Sequence, residues 1–114
     1  MLNIERLKME VKGITLTDDE YKIYLDENDL MATEVYQSNS ISNKRKIYAT
    51  ALSILESIAN NPNSMKDYKL DDMTVSQYHE NLMARIDQLQ AKIDKLQNEE
   101  NNTNDTSFFM LFND

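Results

Sequence analysis

The segment from about Asn43 to Ala59 constrains the fold of this chain more than any other feature. Its apolar residues recur at helical spacing but cover more than half of the helix surface. Such a helix lies at the centre of its domain or against a neighbouring chain. The segment NNPNS ends it, because Pro62 cannot continue a helix and asparagines suit capping and turns. The apolar residues are Ile47, Tyr48, Ala51, Leu52, Ile54, Leu55, Ile58 and Ala59.

A second strong helix is predicted from about Ser76 to Asn98. Its apolar residues alternate by four and three positions, which is the a/d pattern of a packed helix seam. The seam covers only about three heptads, which is short for a free coiled coil. We therefore favour packing within a helical bundle over dimerisation, because the wide face of the preceding helix needs a partner. The seam residues are Leu82, Ile86, Leu89, Ile93 and Leu96.

The first third of the chain contains weaker helix signals. Residues 2–12 predict a short helix that Gly13 ends. Thr17 and Glu20 have the spacing of a capping box, which begins a second helix. We expect this helix to break near Asn28-Asp29 and then to resume, before a polar connector at 37–43. Its apolar residues are Tyr21, Tyr24 and Leu25 before the break, and Leu30, Met31, Val35 and Tyr36 after it.

The stretch YKLDDMTVSQ (68–77) has the alternation of a β-strand on both sides of a doubled aspartate. If Asp71-Asp72 forms a two-residue turn, the apolar residues of both strands share one face of a hairpin. A hairpin this small is marginal in water unless that face is covered. We therefore interpret the face as a contact surface between helices or between subunits. It comprises Tyr68, Leu70, Met73 and Val75.

Together these elements predict an all-α fold. We expect a small bundle of about four helices, with one short β-hairpin or extended segment near residues 68–75. The helical domain would comprise residues 1–98, followed by a polar linker at 99–107 and an apolar C-terminal segment at 108–114.

The composition excludes several functional classes. A chain of 114 residues has room for one domain with a modest core. Without cysteine it forms neither disulfides nor thiolate metal sites, and His79 alone cannot build a multi-histidine site in one subunit. No apolar run approaches the roughly 20 residues that span a bilayer, and the N-terminus has no signal-peptide pattern. We therefore expect a soluble protein that is made in the cytoplasm and does not enter a membrane.

No sequence motif indicates an enzyme or a cofactor site. The chain has no Gly-rich phosphate loop, no nucleophile elbow and no zinc-protease pattern. His79 is expected to be an ordinary surface or interface side chain. The carboxylate clusters Asp18-Asp19-Glu20, Asp26-Glu27 and Asp71-Asp72 are most simply helix caps, a solvated face and a turn. A net charge of −8 argues against wrapping nucleic acid.

Lys44, Arg45 and Lys46 form a basic run at the start of the central helix, where the helix dipole disfavours cations. The run is either a solvated turn or a contact with an acidic partner or a DNA phosphate.

The sequence FFMLF is the largest anomaly in the chain, because five consecutive apolar residues follow a polar segment. Left exposed, they would promote aggregation. They either fold back onto the domain or dock on a partner, and we favour docking because the polar segment provides reach. The docking residues would be Phe108, Phe109, Met110, Leu111 and Phe112.

The order of these elements is similar to that of a known family. The capped helix LTDDEYKIYLDE is followed by the helix YATALSILESIA, the segment YKLDDMTVS, a long helix and an apolar C-terminus. Over nearly the whole chain this order resembles the small head–tail connector (adaptor) proteins of long-tailed bacteriophages.

The resemblance implies a structural role in the virion neck. Members of that family are mostly helical and assemble, commonly as twelve copies, into a ring beneath the portal protein. The ring extends the DNA channel without sequence-specific binding and offers a platform to the next neck or tail-completion protein. The C-terminal residues 108–112 would then dock on the portal. The residues of the hairpin face and of the seam from Leu82 to Ile93 would lie at the subunit interface.

A second hypothesis comes from a different class of protein. The chain would be a small coiled-coil regulator or an antitoxin-like binding module, which dimerises through Leu82–Leu96 and grips its target with FFMLF. The hairpin favours the ring, since a zipper-type regulator has no use for it.

Overall fold

A computed structural model describes the backbone of residues 1–112 and the side chains of residues 1–102. Within this part of the chain the backbone forms five helices, and its only β-pairing is an isolated bridge between Leu2 and Val35. The predicted all-α class is therefore confirmed. The helices are α1 (Asn3–Glu10), α2 (Asp18–Glu27), α3 (Ile41–Ala59), α4 (Pro62–Tyr68) and α5 (Val75–Phe112).

The two ends of α2 follow the sequence signals. The hydroxyl of Thr17 accepts a hydrogen bond from the backbone N–H of Glu20 at 3.2 Å, and the Glu20 carboxylate accepts one from the N–H of Thr17 at 3.1 Å. This is the predicted capping box. Gly13 has a φ of +91°, which a glycine adopts without strain, and it lies after the end of α1 as predicted. The predicted break near Asn28-Asp29 is also present, since α2 ends at Glu27 and Asp29 has a φ of +61°.

The prediction that the helix resumes after Asp29 is wrong. Residues 30–36 are turns and extended chain that run beside the N-terminus. The carbonyls of Glu34 and Ala32 accept hydrogen bonds from the N–H groups of Asn3 and Ile4, at 2.9 and 3.1 Å. Those N–H groups belong to the first turn of α1 and have no partner inside that helix. A non-local pairing therefore replaces the local helix.

Helix α3 is the centre of the bundle, as its wide apolar face predicts. It begins at Ile41, two residues earlier than expected, because the hydroxyl of Ser40 accepts a hydrogen bond from the N–H of Asn43. All four other helices pack on it. Its fully or almost fully buried residues are Ile47, Thr50, Ala51, Ile54, Leu55, Ile58 and Ala59.

The predicted hairpin does not form. Leu70 and Met73 do flank a turn centred on Asp71-Asp72, in which the Met73 N–H donates to the Leu70 carbonyl at 3.0 Å. However, Tyr68 is the last residue of α4 and Val75 is the first residue of α5, so neither belongs to a strand.

Two helix caps explain why helices replace the strands. The Asn61 side chain accepts hydrogen bonds from the N–H groups of Asn63 and Ser64, and Pro62 occupies the first turn, so that α4 begins there. Thr74 and Gln77 form a second reciprocal cap at the start of α5, with hydrogen bonds of 3.0 and 2.9 Å. Helix α4 was not predicted from the sequence.

Helix α5 packs its seam along α3 and α4, which confirms the bundle interpretation. It does not end at Asn98, as the sequence predicts, but continues through residues 99–107 to Phe112. Glu100 lies on this continuation and its carboxylate accepts a hydrogen bond from Arg45 Nε of α3 at 3.1 Å. The segment expected to be a polar linker therefore begins as helix. The side chains of 108–112, and residues 113–114 altogether, lie outside the described part of the chain, so the docking segment stays a prediction.

None of the helices in the described part of the chain combines the length and the apolar character needed to cross a membrane.

Candidate interaction surfaces

Four of the residues expected at a subunit interface lie inside the chain's own core instead. Leu89 is completely inaccessible to solvent, and Leu82, Ile86 and Ile93 are buried with it against the other helices. The wide apolar face of α3 needs a covering helix, and the seam of α5 supplies it. These four side chains are therefore not available to a second subunit unless the bundle opens.

The other four expected interface residues have mixed surroundings. Tyr68 is half-buried and its hydroxyl donates to the Thr15 carbonyl at 3.0 Å, while burial raises the pKa of this tyrosine. Val75 packs against the core. Leu70 is 66% exposed, and together with Met73 it lines a shallow pocket at the α4–α5 turn. Leu70 and Met73 are thus the part of the predicted hairpin face that remains accessible.

The basic run has three different roles in the structure. Arg45 forms the ion pair with Glu100 that ties the start of α3 to α5. The carbonyl of Lys46 accepts a hydrogen bond from the Thr50 hydroxyl at 2.7 Å, within α3. Lys44 lines a groove between α3 and α5. Arg45 is therefore engaged within the chain, and Lys44 contributes to the groove.

The groove beside Lys44 gathers cations that are distant in sequence. It has a volume of about 290 Å³ and lies where the first turns of α3 pass the later turns of α5. Lys92 Nζ lies 5.3 Å from the centre of the Tyr48 ring, a distance at which a cation is attracted to the ring face. Its lining is Lys44, Tyr48, Lys92, Lys95, Leu96 and Glu99, and we call it the basic groove.

The lysines of the basic groove differ from the arginines of the described residues in that they form no ion pair there. Arg6 and Arg85 both pair with Glu10, at 3.0 and 2.6 Å, and the pair of Arg85 connects α5 to α1. Within residues 1–102, by contrast, Lys44, Lys92 and Lys95 take part in no ion pair. The groove therefore combines three ammonium groups and the Glu99 carboxylate with the apolar surfaces of Tyr48 and Leu96.

Sequence reasoning found Lys44 but missed Lys92 and Lys95. A signal for them exists, because Lys92 lies three residues before Lys95 and four before Leu96, at the edge of the seam. Recognising it requires knowing that α3 and α5 run antiparallel, with the start of α3 beside Glu100.

No arrangement for catalysis was found among the described residues. His79 is half-buried on the first turns of α5, and residues 1–102 contain no group of three or more histidine or acidic side chains that could hold a metal ion.

Comparisons of the chain with protein-family models, with curated proteins and with solved structures found no match.

Proposed function

We propose that this chain is a structural adaptor of a bacteriophage neck, which forms a ring beneath the portal protein and joins the head to the tail. The ring would contain several copies, twelve by the resemblance stated above, and would extend the DNA channel. Its tail-side face would receive the next neck or tail-completion protein. The proposed location is the head–tail interface of the virion.

One observation carries this proposal beyond the sequence pattern. The buried core formed by the described side chains extends from Leu7 to Ile93 and includes residues of all five helices. Phe108, the first residue of FFMLF, follows Ile93 by 15 positions. The described side chains thus form a core that draws on every helix, and we propose that FFMLF, which follows this core in the sequence, binds a partner.

The net charge supports the channel role. A protein with a charge of −8 repels the phosphates of DNA at close range. DNA would then slide through the ring instead of binding to its wall.

The alternative function, a coiled-coil regulator or antitoxin-like module, receives less support. It requires the seam from Leu82 to Leu96 to pair with a second chain. Leu82, Ile86, Leu89 and Ile93 are already buried by the chain itself, and Leu96 is half-buried. A dimer through this seam would have to expose the face of α3.

The proposal is tested by mixing the purified chain with the portal protein encoded in the same genome. Negative-stain imaging and native mass spectrometry should show a ring of this chain seated on the portal. Since an adaptor can remain monomeric until it meets the portal, the free state decides nothing. A chain that never binds the portal and forms only a stable dimer would contradict the proposal.

A second test concerns the docking segment. Deleting residues 108–114 should leave the helical circular-dichroism spectrum unchanged and abolish attachment to the portal. Deleting only Asn113 and Asp114 is the matched control and should preserve attachment. If the longer deletion unfolds the protein, FFMLF packs on its own domain and its assignment as a docking segment is wrong.

A further inference from the structure

One exposed apolar residue lies at the centre of an acidic surface on α2. Ile23 is 57% exposed, although Tyr21 and Leu25 of the same helix are buried and Tyr24 is half-buried. Positions three and four residues away on a helix are surface neighbours. For Ile23 these positions are all carboxylates, and all are exposed: Asp19, Glu20, Asp26 and Glu27. We call Ile23 and these four residues the acidic knob.

The acidic knob and the basic groove have matching chemistry. The knob has an aliphatic centre with carboxylates around it. The groove is lined by Tyr48 and Leu96 and by three lysines, which outnumber its one carboxylate, Glu99. An aliphatic side chain packed against Tyr48 and Leu96 would lose exposed apolar surface, which favours contact. The surrounding charges would be opposite in sign across the contact, which favours association and fixes its orientation.

A single chain cannot bring the two surfaces together. Helix α2 packs on α1 and α3, and within the described residues it makes no contact with α5, which forms one wall of the groove. The knob of one copy can therefore fill only the groove of another copy.

We propose that the acidic knob of one copy docks in the basic groove of the next. The two surfaces are different patches of the molecule, so the contact is heterologous. Such a contact, repeated from copy to copy, produces a ring when the rotation closes and a filament when it does not. This inference rests on the proposed ring function and specifies which surfaces form the ring.

Disulfide trapping tests the contact directly, because the chain has no natural cysteine. We would mix full-length Ile23→Cys with full-length Leu96→Cys, both free in solution and with the portal protein present. With a size tag on one variant, a heterodimer should appear on a non-reducing gel at a position that neither homodimer has, because a disulfide forms only where the two side chains come close together. Ile23→Cys mixed with Gln90→Cys is the matched control, since Gln90 is exposed on α5 and no groove residue lies three or four positions from it. Equal yields in the two mixtures, with and without the portal, would overturn the proposal.

Charge reversal provides a second, independent test. Lys92→Glu with Lys95→Glu makes the groove acidic, and Asp26→Lys with Glu27→Lys makes the knob basic. Each double variant alone should lose self-association by a large factor, measured by analytical ultracentrifugation and by ring formation on the portal. A mixture of the two should recover it, because both contacts in the mixture again join opposite charges. Failure of the mixture to recover, while each variant keeps its helical spectrum, would refute the pairing.

The outcomes separate this inference from the proposed function. If both charge-reversed variants still form rings on the portal, the ring stands and the knob–groove contact is wrong. If the two cysteine variants are trapped selectively but the wild-type chain never binds the portal, the contact stands and the neck function is wrong. If an acidic groove abolishes portal binding without affecting self-association, the groove holds the portal and the second-copy assignment is wrong.

Discussion

Replacing Leu89 with alanine is the most direct test of whether the seam of α5 belongs to the monomer core. Leu89 is completely buried at the α3–α5 contact. The change removes three carbon atoms from the core, and at about 0.8 kcal/mol for each buried methylene this loses about 2.4 kcal/mol. The cavity left behind adds to the cost, because a packed core relaxes only partly. We expect a loss of about 3–4 kcal/mol in the free energy of unfolding.

The corresponding change in melting temperature can be estimated from the size of the chain. An unfolding entropy of about 2.1 cal/mol/K per residue gives about 240 cal/mol/K for 114 residues. A loss of about 3 kcal/mol then lowers the melting temperature by about 12 °C. Leu70→Ala is the matched control, since it is the same chemical change at a side chain that is 66% exposed. It should cost less than about 1 kcal/mol.

Urea denaturation followed by circular dichroism measures both variants, and the wild-type experiment is repeated over a wide range of protein concentration. A core residue of the monomer gives a stability that does not depend on concentration, whereas an interface residue gives one that does. Equal costs for Leu89→Ala and Leu70→Ala would refute the placement of the seam in the core. The placement would also be refuted if the free energy of unfolding rises with protein concentration for the wild type but not for Leu89→Ala.

Three further changes test local features of the first half of the chain. Thr17→Ala removes the capping hydroxyl of α2 and should cost about 1 kcal/mol in urea denaturation, whereas Thr15→Ala, whose side chain caps no helix, should be nearly neutral. Gly13→Ala should cost about 1 kcal/mol by the same measurement, from the φ of +91° alone, since an added Cβ would meet no atom within 4 Å. The hydrogen bond from Lys8 holds the pKa of Asp18 below that of an ordinary aspartate, so Lys8→Met should raise this pKa in a carboxyl NMR titration. Because the pKa of Asp18 is lowered in the folded state, the ion pair stabilises the fold at neutral pH, and this stabilisation is lost as the pH falls through the folded-state pKa. An unchanged Asp18 pKa in Lys8→Met would show that Lys8 does not cause the shift.

Local signals predict most of the helices from the sequence. The caps that begin α4, at Asn61, and α5, at Thr74, were not recognised. The capping box of Thr17 and Glu20 was recognised because acidic residues and an apolar pattern follow it. Thr74 and Gln77 form an equivalent cap, but the strand-like alternation around them favoured a hairpin. Alternation over three residues on each side of a turn is weak evidence, because the same residues can cap and begin helices. The caps determined the structure of this segment.

The remaining differences depend on contacts between distant residues. The chain from Leu30 to Tyr36 has apolar residues suited to a helix, but its backbone pairs with the N-terminus instead. The basic groove likewise forms only when Lys44 and Lys92, which are 48 positions apart, meet across α3 and α5. Neither arrangement leaves a periodic pattern in the sequence, since periodicity records only which face of one element is buried.

The absence of the hairpin from residues 68–75 changes the argument between the two functional hypotheses. A hairpin would favour a ring adaptor, because a coiled-coil regulator has no use for one. Since no hairpin forms, that reason no longer applies. The position of the α5 seam now separates them. A regulator that dimerises through Leu82–Leu96 needs this seam on its surface, but α3 already covers it within one chain. Any assembly of intact bundles must then use surfaces outside the seam, and Ile23 with its carboxylates and the basic groove are the pair whose chemistry matches.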